Sequence, residues 1–78
     1  MKQRTKQFVL CIENTDYEAS LVLGKVYAIL PDAKAAKDDL VRIVDESGED
    51  YLYDKSYFVF VDFPIAVSRK ILALQNAT

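Results

Sequence analysis

A chain of 78 residues with a net charge of −2, one cysteine and no histidine makes a single domain, without an internal disulfide or a conventional zinc site. An apolar share of 51% beside 28% charged residues is the composition of a folded chain, not a disordered one. The longest apolar runs, FVLCI and YFVFV, fall far short of the roughly twenty residues that cross a bilayer, and no secretory leader is legible, so the reading is a cytoplasmic protein without membrane association.

In chain order, residues 1–7 read as a basic N-terminal arm carrying Lys2, Arg4 and Lys6. Phe8 to Ile12 is a continuous β-prone run, predicted as a buried first strand, with Cys11 as a small apolar core residue. Asn14, Thr15, Asp16 and Ser20 supply turn chemistry before Gly24, and KVYAIL forms a second strand that must stop at Pro31. PDAKAAKDD reads as a loop with at most one helical turn. LVRIV (Leu40 to Val44) is a third strand, and ESGE, with Gly48 at positive φ, turns it into YLY as a fourth. DKSYF is a tight turn into a short fifth strand, VFV. Beyond it, Val67, Ile71 and Leu74 recur at helical spacing behind Pro64, with Asp62 as N-cap, for a helix of about ten to twelve residues. Five short strands and an appended helix predict a mainly β fold, a five-stranded small barrel over residues 8–61 with a C-terminal helix and tail over 62–78.

Side chains two apart on a strand share a face. With Arg42 in solvent, Val41 and Ile43 point inward and Leu40 and Val44 outward. With Leu52 inward on the next strand, Tyr51 and Tyr53 point outward. The resulting face is too apolar to stay wet. Three covers would serve: the C-terminal helix, a second copy of the chain as a homodimer, or a different partner, and tyrosines suit the last two.

Asp45, Glu46, Glu49 and Asp50 crowd the hairpin tip, where charge keeps a turn soluble. Their spacing is not that of a calcium loop, and a tip offers no cleft for paired carboxylates to work as acid and base. No catalytic residue, cofactor or metal ligand is assigned, and the chain reads as non-enzymatic. Nucleic-acid binders carry a basic stripe with interleaved aromatics, whereas these tyrosines sit among carboxylates. Nucleic acid is therefore the alternative partner, not the leading one.

DYEASLVLGKVYAIL (Asp16 to Leu30) resembles the start of SH3 domains, and YDKSYFV (Tyr53 to Val59) resembles the turn that enters their last strand. The chain is also similar to a family of small uncharacterised bacterial proteins with an ESGEDYLYP-like motif, here Glu46 to Tyr53 followed by Asp54 in place of proline. The resemblance implies an SH3-like barrel. It further implies that Tyr17 and Tyr57 line a shallow groove for a protein or peptide, with Glu18 and Asp54 selecting basic ligands, or else that both rings knit the loop to the turn. Thr15 stands where the first tyrosine of the loop belongs, and no tryptophan exists to form the centre of a proline-peptide platform. The candidate partner-binding residues are Tyr17, Glu18, Tyr51, Tyr53, Asp54 and Tyr57. The expected role is an interaction or accessory module for a protein or peptide, or for itself.

Overall fold

The computed structural model describes residues 8–75; the basic arm and the last residues of the tail lie outside this range. Five antiparallel strands form one sheet: β1 (Phe8–Cys11), β2 (Val26–Leu30), β3 (Leu40–Val44), β4 (Asp50–Asp54) and β5 (Phe58–Val61). Their order is β4-β3-β2-β1-β5, so β1 is paired on both sides although its sequence neighbour is β2 alone. The ladder does not close. β4 and β5 each keep one strand neighbour, so the sheet stays open where the turn pattern predicts a barrel.

The elements follow local chemistry. A short helix, α1 (Ala33–Lys37), fills the loop after Pro31, capped by the Asp32 carboxylate, which accepts from the Ala35 N–H at 3.0 Å. The hairpin between β3 and β4 turns at Gly48, whose φ of +84° is open to glycine without strain. A 3-10 turn, Lys55–Tyr57, joins β4 to β5 and is capped by the Asp54 side chain, which accepts from the Ser56 N–H at 2.9 Å. This capping bond is a physical role for Asp54. A second helix, α2 (Ile65–Gln75), begins later than expected, so Asp62 lies short of the N-cap position.

One face of the sheet carries the core: Val9 and Cys11, Tyr27, Val41 and Ile43, Tyr53 and Phe58, closed by Leu21 from the loop after β1. Cys11 is 1% exposed, as expected of a small core residue. On the opposite face Phe8 is buried and meets the Phe63 ring edge-on, with centroids 5.5 Å apart. α2 rests along this outer face with Ile71 and Leu72 half-buried, while Gln75 donates to the Val26 carbonyl at 3.3 Å. None of its residues is fully buried, and the Val67, Ile71 and Leu74 stripe stays largely in solvent. Between α2 and the sheet runs a groove of about 920 Å³, floored by Ala28, Leu30 and Val44.

The inward positions of Val41 and Ile43 agree with the sequence reading. That of the next strand is reversed. Tyr53 stands opposite Val41, Tyr51 opposite Ile43 and Leu52 opposite Arg42, and directly opposed residues share a face. Tyr53 is therefore buried and Leu52 is 43% exposed. Tyr51 shares the core side but remains exposed. The outward face of Leu40, Val44, Tyr51 and Tyr53 does not form, and neither does the homodimer surface drawn from it.

Candidate partner-binding site

The first wall of the site is the loop of residues 12–25. Leu21, fully buried, pins it to the core, and the backbone N–H groups of Ser20 and Leu21 both donate to the Tyr17 carbonyl at 2.9 Å. Asn14 secures the other end, donating from its side chain to the Leu21 carbonyl at 2.9 Å. Asp16 sits at a φ of 73°, a conformation aspartate tolerates better than most residues. This compact turn leaves the Tyr17 ring 44% exposed, with Glu18 exposed beside it.

Tyr17 meets two other rings. Its centroid lies 5.1 Å from that of Tyr53 and 5.8 Å from that of Tyr57, both edge-on, a geometry that opposes positive ring edges to negative faces. The 3-10 turn supplies Tyr57, whose hydroxyl donates to the Thr15 carbonyl at 3.1 Å and ties the turn to the loop. Burial, followed by the negative surroundings of Tyr17, Asp16, Glu13 and Asp54, raises the Tyr57 hydroxyl above its ordinary pKa. The two tyrosines carried over from the SH3 resemblance are thus neighbours.

The second wall is the β3–β4 hairpin. Asp45 is not part of a solvated tip; it is 6% exposed. Its carboxylate accepts from the Ser47 N–H at 2.9 Å, from the Ser47 hydroxyl at 2.6 Å and from the Tyr53 hydroxyl at 2.6 Å. Burial pushes this carboxyl up, but the three hydrogen bonds together outweigh it and hold Asp45 below the usual carboxylate range. Tyr53 moves the other way. Burial and the bond to Asp45 push its hydroxyl up to about 12. Tyr51 points its hydroxyl at Glu49, 3.1 Å away, which raises it as well.

Hairpin and loop are fastened to each other. The Glu46 N–H donates to the Ser20 carbonyl at 3.0 Å, and the Glu46 carboxylate receives Lys25 Nζ at 2.6 Å and the Tyr27 hydroxyl at 2.5 Å. Those bonds hold Glu46 below its ordinary pKa, Lys25 first and Tyr27 second.

Between the walls lies a shallow groove of about 350 Å³. Tyr17, Ser20, Ser47, Tyr51 and Leu52 line it, and Tyr53 and Asp45 form its floor. Of the six candidate residues, Tyr17 and Tyr51 line the groove from opposite walls. Tyr57 packs behind Tyr17, Tyr53 is floor, Glu18 is exposed next to Tyr17 in the chain but does not line the groove, and Asp54 caps a turn. Sequence reasoning missed Ser20, Ser47 and the structural part of Asp45. The spacing Asp45-Glu46-Ser47 was a usable signal, because an aspartate whose side chain accepts from the backbone two residues on is a common turn device.

Among the described residues, no group of three or more Asp, Glu or Cys converges to hold a metal ion, and no helix is long and apolar enough to cross a membrane. In comparisons with family models, with curated proteins and with solved structures, nothing matches this chain.

Proposed function

We propose that the chain is a non-enzymatic interaction module with an SH3-like plan, which receives an extended, basic-residue-bearing segment of another protein in the tyrosine groove. The SH3-like part of the reading draws on the strand order and on the 3-10 turn that leads into β5. The observation that carries the functional part is the pairing of exposed Tyr17 and Tyr51 across one groove whose charged neighbours are acids. Asp45 lies in its floor, Glu49 holds the Tyr51 hydroxyl, and Glu18 follows Tyr17 in the chain; among the described residues no lysine or arginine lines it. Tyrosine rings offer flat apolar area, and their negative faces attract guanidinium and ammonium groups. Carboxylates at the rim add steering toward a basic partner.

Selection of a random peptide library displayed on phage, against the immobilised chain, tests this reading. Peptides rich in Arg or Lys should be enriched on the wild type and lost on Tyr17→Ala/Tyr51→Ala. Absence of enrichment, or equal recovery on the double variant, would overturn it.

A further inference from the structure

The floor of the tyrosine groove holds a charge that the fold leaves unbalanced. Asp45 is shut away from water and stays ionised at neutral pH. Buried carboxylates are ordinarily matched by a cation as well as by hydrogen bonds. Among the described residues the ion pairs go elsewhere: Lys25 to Glu46, Arg42 to Asp32 and Asp50, and Lys55 toward Asp39. The donors on Asp45, from Ser47 and Tyr53, are all neutral, so they hold the carboxylate without cancelling its charge. They also leave room. Ser47 fills Oδ1 twice and Tyr53 fills Oδ2 once, whereas a carboxylate has about four acceptor positions.

Asp45 borders both the helix groove and the tyrosine groove, and only the second suits a cation. On the helix side the floor is aliphatic, with Ala28, Leu30 and Val44, and Lys25 already stands there as a positive charge. On the tyrosine side no cation lines the surface among the described residues, and Tyr17 and Tyr51 are each close to half exposed. Neither Glu18 nor Asp54, the acids expected to choose a basic ligand, lines this groove. A guanidinium meets these conditions better than an ammonium. It is planar and lies flat against tyrosine rings, and it gives up its water more readily. Its fork of donors also serves a carboxylate and a neighbouring hydroxyl at once.

We infer that the tyrosine groove is an arginine site, in which a partner's guanidinium lies between Tyr17 and Tyr51 and takes Asp45 as its counter-ion. The inference rests on the reading of the groove as a peptide site and narrows it to one ligand side chain and one acceptor. Asp45 then fastens the hairpin through Ser47 and Tyr53 and also chooses the ligand. Glu49, engaged with the Tyr51 hydroxyl, adds steering from outside the floor. Lysine brings the charge without the plane, and citrulline, the uncharged analogue of arginine, brings the plane without the charge.

Nuclear magnetic resonance of the full chain, titrated with Nα-acetyl-arginine amide through the roughly millimolar range expected of so small a ligand, tests this directly. The Asp45 carboxyl carbon should shift to saturation together with the Ser47 and Tyr51 amides, and the Glu18 carboxyl should not. The lysine analogue should bind severalfold more weakly, and the citrulline analogue not at all. Asp45→Asn, which keeps the shape of the side chain, should weaken the arginine amide about tenfold or more. An unmoved Asp45 carbon, equal binding of lysine or citrulline, or undiminished binding by Asp45→Asn would each overturn the inference. Should Asp45→Asn fail to fold, the wild-type carboxyl shift and the citrulline comparison decide it. Peptides enriched on phage beside an unmoved Asp45 would sink this inference alone. Arginine amide bound at Asp45 with no peptide enriched would sink only the reading of the partner as a protein segment.

Discussion

The carboxylate of Asp45 is buried and still keeps its charge, because two hydroxyls and one backbone N–H converge on it. Asp45→Ala removes the acceptor of a buried tyrosine hydroxyl and should cost about 1–3 kcal/mol in denaturant unfolding. Tyr53→Phe, which takes away the donor and leaves the carboxylate its serine bonds, should cost less. The pKa directions set the pH behaviour. Asp45 and Glu46 are held below their ordinary values, so their contribution is present at neutral pH and is lost as pH falls below about 4. Tyr53 is raised to about 12, so its contribution holds below about pH 10 and is lost as pH climbs from there to about 12. Thermal melts across the full pH range should therefore fall at both ends, and Asp45→Ala should flatten the acid limb.

Elements were legible where the signal is local. β3 is set by an unbroken LVRIV between turn-formers, and the hairpin by a glycine at positive φ. Gly48→Ala meets no atom within 4 Å, so its cost is backbone strain alone, about 1–2 kcal/mol by chemical denaturation. The facing of β4 was not legible, because it depends on a partner outside the strand. Leu52 looks like the core residue and the tyrosines like the wet ones until Asp45 is known to wait inside for a hydroxyl. α2 shows the opposite limit: its period announces a helix, but no period says how deeply a helix sinks. Its stripe lies half in solvent, so Ile65→Ser, at a position 71% exposed, should change stability by no more than about 0.5 kcal/mol in the same assay.

At the scale of the whole molecule, the groove was only partly foreseeable. Tyr17 and Tyr57 lie side by side, since both belong to turns fixed close to the core. Tyr51 joined them because the Glu46 to Ser20 bond draws the hairpin against the loop, a contact between segments far apart in the chain that no local pattern encodes. Stability of such a small sheet rests on few side chains. Ile43, fully buried in the core, should cost about 2–5 kcal/mol as Ile43→Ala. Cys11 makes that core readable from outside. It is the chain's one thiol, it is shut away, and burial raises its pKa, so alkaline buffer alone does little to expose a thiolate. An alkylating reagent must wait for the core to breathe, and native labelling should run at least about a thousandfold slower than in denaturant. The rate at which that sulfur is captured is a clock for the opening of the whole domain, already fitted and needing no engineered probe.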